Sequence, residues 1–226
     1  MRHPLDNPVW SSLTSAHRTF ARQWEHATRY PSDVAPFVAV DDFGIGVGDQ
    51  LAQIVGMGES VLFVGRAPDL AESWLLEPVV HIAQMVCASR IVPPDGPDIV
   101  VLSSAKNRAD ILDLTARVYP HYFRPRTVEL GRYFGIYEGS KLAAMAGERM
   151  RFDGHTELSA ICTDPAYLGR GLAQRLMAML TNDILDSGRM PFLHVSHHNA
   201  RAKALYEHLG YRFRADIPLL TVTRER

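Results

Sequence analysis

The stretch 156–180, TELSAICTDPAYLGRGLAQRLMAML, constrains the fold of this chain more than any other. Residues 157–163 are mostly small or apolar and read as a strand, which Asp164-Pro165 ends because proline cannot continue a ladder. Leu172, Leu176, Met179, Leu180 and Ile184 then recur at helical spacing, forming one apolar stripe. Gly169 and Gly171 therefore stand at a helix N-terminus, where backbone amides lack intrahelical partners and the peptide dipoles add about half a positive charge. With no side chain at 169 and 171 and a small one at Ala173, anionic oxygens can approach the backbone closely. A phosphate chain suits this order of elements, although Gly-x-Gly-x-Ala by itself is equally compatible with an ordinary turn. The dinucleotide fingerprint needs a third glycine and an early place in a parallel sheet, and the P-loop needs a Gly-Lys-Ser/Thr ending; neither pattern is met.

A second stretch, PFLHVSHHNARAKALYEHLGYRF at 191–213, supports the first. A short apolar strand at 192–195 leads to Asn199, a favoured helix cap, and the helix after it stops at Gly210. Asn199 and Tyr206 lie nearly two turns apart and project from one face, with Lys203 between them. Together the two stretches resemble the GNAT superfamily of acyl-CoA-dependent N-acyltransferases. That family's acyl-CoA signature, Gln or Arg, two residues, Gly, one residue, Gly or Ala, falls on Leu168, Gly171 and Ala173; its Asn, Leu-Tyr-Glu and Leu-Gly-Tyr/Phe fall on 199, 205–207 and 209–211. Leu168 departs from the pattern. It removes one polar side-chain contact but not the backbone cradle, and Arg170 can supply charge. The resemblance covers about 98–222. It implies acetyl-CoA as co-substrate, held by Ile161, Cys162, Thr163, Leu168, Gly169, Arg170, Gly171, Leu172, Ala173 and Asn199.

With 226 residues, 46% of them hydrophobic, there is core for one large domain or two small ones. The clearest punctuation, Val92-Pro93-Pro94-Asp95-Gly96-Pro97, divides an N-terminal α/β segment at 1–92 from a domain at 98–226. A helix is expected within 1–30 from Leu13, His17, Phe20 and Trp24, a strand over 34–40, a short helix over 51–57 and a strand over 61–64. Residues 78–88 are apolar and cannot be typed by periodicity. The glycine-bearing stretch 41–49 has acidic flanks that suit a turn or lid better than a phosphate cradle, and the aromatic, basic loop 119–126 is either a connection or a cleft wall. From 98 onward the order is strand, helix, loop, two hairpin strands, central strand, helix, strand, helix, strand. This is an α/β arrangement similar to a GNAT core, a central mixed sheet flanked by helices on both faces.

The 24 basic and 25 acidic residues give no overall basic footprint for nucleic acid. Acidic residues predominate over 1–96 and basic ones over 97–226, which suits a phosphorylated co-substrate in the second part but equally two halves that dock on each other. Two distant cysteines, Cys87 and Cys162, the absence of a leader at 1–10 and of any bilayer-length apolar run give a soluble cytoplasmic protein as the expectation, with no membrane partner. Cys162 lies in an apolar strand, where a small buried thiol is expected rather than a nucleophile.

Acyl transfer to an amine wants a base for an ammonium of reference pKa about 10.4 and an acid for a departing thiolate of about 8.5. Glu157 at the start of the central strand is the base expected by resemblance, provided burial or a relayed water compensates for a glutamate's ordinary pKa, and Glu148 is its rival. Tyr206 is the expected acid. The resemblance puts the oxyanion against backbone N–H groups near Ile161 and Cys162. His194, His197 and His198 invite a metal reading, but no carboxylate or cysteine pair completes a ligand spacing and none is expected. The function implied is acetyl transfer from acetyl-CoA to a primary amine by direct attack; the alternative is a non-catalytic CoA-binding or sensor module of the same fold. The acceptor, a small molecule or peptide amine, is open, as are acyl chain length and oligomeric state, a homodimer included.

Overall fold

The structure, a computed structural model, describes residues 3–41, 46–65, 68, 70–118, 120 and 123–225. Its elements in chain order are α1 (Pro8–Leu13), β1 (Arg22–Trp24), β2 (Ala27–Arg29), β3 (Phe37–Val40), α2 (Val47–Ala52), β4 (Ser60–Val64), β5 (Trp74–Leu76), β6 (Val80–Val86), β7 (Val100–Val101), α3 (Ala105–Val118), β8 (Tyr133–Glu138), β9 (Lys141–Phe152), β10 (His155–Thr163), α4 (Leu172–Asp186), β11 (Met190–Ser196), α5 (Ala200–His208) and β12 (Arg212–Arg224). The strands form one sheet in the order β1-β2-β3-β4-β12-β6-β11-β10-β9-β8-β7, with β5 also on β12. β3–β4 and β10–β11 are parallel and the other pairs antiparallel, so the sheet is mixed.

Alternation along β11 divides the interior. Phe192 joins Leu5, Val9 and Leu13 on the side of α1, while Leu193 joins Leu176, Leu180 and Ile184 on the side of α4. α4 buries Leu172, Leu176, Leu180 and Ile184 as its spacing predicts, with Met177 and Ala178 rather than Met179 completing the buried face. α3 packs Ile111 and Leu114 against Met145 and Cys162. Helices thus cover both faces of the sheet. Among the described residues no helix is long and apolar enough to cross a membrane.

The first 92 residues differ most from expectation. The helix expected within 1–30 from Leu13 to Trp24 does not form: among the described residues the only α-helix there, α1, stops at Leu13, where the Thr14 and Ser15 hydroxyls donate to the Trp10 and Ser11 carbonyls and compete with its continuation. A β1–β2 hairpin comes next, turning at Glu25 with φ 47°, and Trp24 is exposed, so the spacing that suggested a buried helical face has no such face behind it. The strand expected over 34–40 is confined to β3 and the one over 61–64 is β4. The helix expected over 51–57 lies earlier, as α2, since Gly46 at φ 89° starts it and Val47 and Leu51 form its buried face. Residues 78–88 contain β6. The stretch 93–97 carries no helix or strand, yet β6 before it is hydrogen-bonded between β11 and β12 after it, so the N-terminal segment contributes strands to the central sheet as well as packing on it. Residues 42–45 of the glycine-bearing stretch, and 119, 121 and 122 of the aromatic loop, lie outside the described residues; Phe123 of that loop packs edge-on to Tyr133 at 5.8 Å.

One buried polar cluster anchors the N-terminal turn. His17 Nδ1 lies 2.9 Å from Tyr30 Oη, which donates to Ser12 Oγ at 3.0 Å, and Ser12 donates in turn to the Arg151 carbonyl of β9 at 3.0 Å. Burial, reinforced by the nearby Arg151 guanidinium, lowers the His17 pKa to about 4. The unfolded chain therefore binds this proton more readily, and stability falls as pH drops from about 6.5 toward 4, by about 3 kcal/mol from this group. Urea unfolding of the wild type and His17→Gln at pH 7, 5.5 and 4 tests this: the variant is expected to lose distinctly less stability across that range.

Candidate active site

Asp164 ends β10 and shapes the turn that leads to the glycine loop. One of its oxygens accepts from the Ala166 amide at 2.9 Å, capping the short turn Pro165–Tyr167, and the other is ion-paired with Arg117 of α3. Gly169 and Gly171 then adopt φ of 80° and 74°, a left-handed backbone that favours glycine, and Gly171 is the N-cap of α4. A Cβ at either position would meet nothing within 4 Å, so the space over the loop is open to a ligand. The first amides of this 15-residue helix have no intrahelical partner, and no side chain caps them. Arg170 stacks at 5.1 Å over Tyr167 with its guanidinium 3.8 Å from Glu138, and Leu168 is 45% exposed.

Two interruptions of the sheet make room behind the loop. On β10, Ser159 pairs with Gly147 and Cys162 with Met145, so Ala160 and Ile161 bulge opposite a single β9 residue, and Ala160 takes φ 51°. β10 pairs with β11 only from His155 to Glu157, although both strands run on; beyond that point they splay. The opening is a cavity of about 620 Å³, within the size range of small-molecule sites. The cavity wall includes Glu157, Ile161, Cys162, Thr163, residues 168–173, Asn199 and Tyr206, so the expected site residues converge on one space. Asn199 caps α5 by accepting from the Ala202 amide at 3.1 Å. Tyr206, largely buried, reaches the cavity from α5. Burial pushes the Cys162 thiol up to about 12.

Glu157 is fully buried at the far end of this space. A second bulge places both Arg149 and Met150 opposite it. Its carboxylate accepts from Arg149 Nε and Nη2 at 2.8 and 2.6 Å, from the Met150 amide at 3.3 Å, and from His194 Nδ1 at 2.8 Å. The other neighbour of His194 sets its tautomer. Gln84 Nε2 donates to the Leu5 carbonyl at 2.9 Å while its Oε1 accepts from Arg214 at 2.8 Å, so the amide orientation is fixed and His194 Nε2, 3.0 Å from Gln84 Nε2, must accept. The ring proton is therefore on Nδ1. Burial alone would raise the Glu157 pKa, but the charge and hydrogen bonds of Arg149, then the His194 bond, lower it to about 2. Burial thus does not raise this carboxyl in the way a general base would need, because its partners favour the anion more than burial opposes it. The rival Glu148 does not line the cavity; on the opposite face it pairs with Arg132, which also holds Asp183 of α4.

His197 pairs with Asp216 at 2.5 Å and His194 with Glu157 at 2.8 Å, so these two imidazoles turn to different partners. Among the described residues no group of three or more His, Cys, Asp or Glu is placed to hold a metal. Sequence reasoning did not single out Arg149 or Gln84, and weighed His194 only as a metal ligand. The available signal was charge and amide inside otherwise apolar strands.

A family model described as FR47-like protein matches residues 133–217. A solved structure from Novosphingobium aromaticivorans, assigned to the acetyltransferases of the GNAT family, is 30% identical over 100% of this chain and 100% of that one, with a TM-score of 0.89. The chain belongs to the GNAT family. A GCN5-related N-acetyltransferase from Kribbella flavida shares the fold at 17% identity, with a TM-score of 0.66 and coverage of 98% of this chain and 96% of that one. Another from Sphaerobacter thermophilus does so at 15% identity and a TM-score of 0.53, covering 87% and 76%. No curated protein matches the chain. In this GNAT protein, whose fold supports acyl transfer, the matched segment 133–217 holds the bulged strand, the glycine loop, α4 and α5.

The buried ion pair makes a stability test. Arg149→Leu leaves the Glu157 carboxylate in the interior without its strongest partner and is expected to cost about 3–5 kcal/mol in urea unfolding at pH 7. Adding Glu157→Leu should recover a substantial part of that loss.

Proposed function

We propose that this GNAT protein transfers the acetyl group of acetyl-CoA to a primary amine by direct attack. The observation that carries this reading is the continuity of one cavity from the open amides at the N-terminus of α4, past the bulge at 160–161, to the splay between β10 and β11. In this reading residues 98–226 supply the acyl-CoA-binding part. The pyrophosphate lies over 168–173, and Asn199, whose oxygen already caps α5, keeps its amide N–H for the pantetheine arm. Backbone N–H groups near Ile161 and Cys162 meet the carbonyl oxygen as negative charge develops on it. Tyr206 gives its proton to the departing sulfur. The Cys162 thiol stays protonated because burial pushes its pKa up to about 12, which argues against an acyl-enzyme at that position.

A carboxyl that Arg149 and His194 hold well below the usual carboxylate range is a poor acceptor from an ammonium of reference pKa about 10.4. Glu157 is instead assigned a positioning role, orienting Arg149 and His194. The amine then enters as its free base, because an ammonium would lose its hydration beside the Arg149 cation.

Thermal unfolding with acetyl-CoA, CoA and ATP tests the co-substrate: a hundredfold excess over Kd stabilises by about 2.7 kcal/mol, so both CoA species should raise Tm by roughly 5–10 °C and ATP should not. Tyr206→Phe should lower kcat by about a hundredfold or more with little change in acetyl-CoA affinity; unchanged kcat removes Tyr206 as the acid, and no turnover of any amine by the wild type leaves a CoA-binding module. For the free-base route, kcat/KM should rise with pH toward the acceptor's own pKa and move with it across amines. A plateau below pH 7 that ignores the amine would place the base on the protein.

A further inference from the structure

The far end of the cavity has a chemistry that narrows the acceptor. Phe37 of β3, Leu62 and Val64 of β4, Ile82 of β6 and Leu219 of β12 all line it, and all belong to one apolar cluster on the α1 side of the sheet. Phe37 and Val64 are buried, whereas Leu62, Ile82 and Leu219 remain partly open. Along β10 the order is the bulge at 160–161 and then Glu157; from Glu157 the contacts lead to Arg149, whose guanidinium lies 4.9 Å over the Phe37 ring. A polar step is thus followed by an apolar chamber.

Charge decides which amines fit. Among the described residues Glu157 is the one acidic side chain lining the cavity, and its two oxygens already accept from Arg149, His194 and the Met150 amide. A polyamine, an aminoglycoside or a lysine-rich peptide carries further ammonium groups, each of which needs an available carboxylate once it leaves water. This wall offers Arg149 instead. We infer that the acceptor is a monoamine on an apolar body, an arylalkylamine or alkylamine, whose nitrogen sits at the Arg149–Glu157 step and whose body fills the chamber of Phe37, Leu62, Val64, Ile82 and Leu219. The inference rests on the acetyl-transfer reading for the reaction, in which the amine nitrogen forms the amide bond to the acetyl carbon, the thioester C–S bond breaks and the amine proton leaves to solvent. The apolar chamber is assigned to the acceptor, and octanoyl-CoA in the test below separates that assignment from a longer acyl chain.

The test compares hexylamine, phenethylamine, propylamine and spermidine at saturating acetyl-CoA, each referred to its free-base concentration, in wild type, Leu62→Asp and Ile82→Ser. Hexylamine and phenethylamine should exceed spermidine in kcat/KM by at least tenfold. From propylamine to hexylamine the gain should approach about fourfold per methylene. Both variants should lower kcat/KM for hexylamine at least tenfold while the Tm shift with acetyl-CoA stays that of wild type, which also shows that they fold. Spermidine as the better acceptor, or hexylamine turnover indifferent to both variants, overturns the inference. So does a preference for octanoyl-CoA over acetyl-CoA that the variants abolish, since the chamber would then hold the acyl chain. Failure of the underlying reading looks different: no shift with acetyl-CoA. In that case hexylamine alone should still raise Tm in wild type and not in Leu62→Asp, and no such shift would overturn the chamber as well.

Discussion

A carboxylate and a guanidinium buried together tolerate little displacement, because each costs several kcal/mol to remove from water and recovers it only in good geometry with its remaining hydrogen-bond capacity filled. Arg149 and Glu157 meet that condition through their neighbours. The chain of partners crosses the sheet one strand at a time: Arg149 on β9, Glu157 on β10, His194 on β11, Gln84 on β6, Arg214 on β12, and finally Asp6 in the N-terminal turn. The orientation of Gln84 fixes the proton on His194, and that proton completes the shell of Glu157. A one-residue slip of any of these strands would turn its member of the chain to the opposite face and strand the others.

The cavity arises where this ordered sheet is broken. The two bulges, at 149–150 on β9 and at 160–161 on β10, change which residues face the interior, and the second places Ala160 in a conformation that alanine rarely adopts. β10 and β11 pair for three residues beside the ion pair and then separate. Pairing closes the apolar end around Glu157, and splaying opens the other toward the amides of α4. The same strand thus carries a rigid charged anchor and a strained, open segment three residues later.

The first 92 residues are part of this arrangement. β6 fills the place between β11 and β12, β4 extends the sheet on the other side of β12, and Phe37, Leu62, Val64 and Ile82 wall the cavity. The segment matched by the FR47-like model, 133–217, holds the elements around the glycine loop but none of these four side chains. The glycine loop and the apolar wall of the cavity therefore come from different parts of the chain.

Local signals were legible in the sequence wherever they were repeated and short-range. The stripe of α4, Gly169 and Gly171 ahead of it and the Asn199 cap each depend on residues a few positions apart, and each lies where its spacing predicts. The spacing of Leu13, His17, Phe20 and Trp24 misled because His17 turns inward to Tyr30 and Trp24 outward to solvent, partners that periodicity does not contain. The site divides in the same way. Ile161, Cys162, Thr163, residues 168–173, Asn199 and Tyr206, which line one cavity, could be grouped from motifs because a glycine loop ahead of a helix and a capped helix are local objects. The state of Glu157 could not, since its pKa is set by Arg149, eight residues away across a bulge, and by His194, thirty-seven residues away on the next strand. Residue order alone was enough for most of the elements after 98 and for the glycine loop ahead of α4, because those obey backbone geometry over a few positions. Which charges pair, and which side chains wall the far end of the cavity, came only with the folded sheet, because burial and pairing depend on strands that are distant in the chain and meet across it.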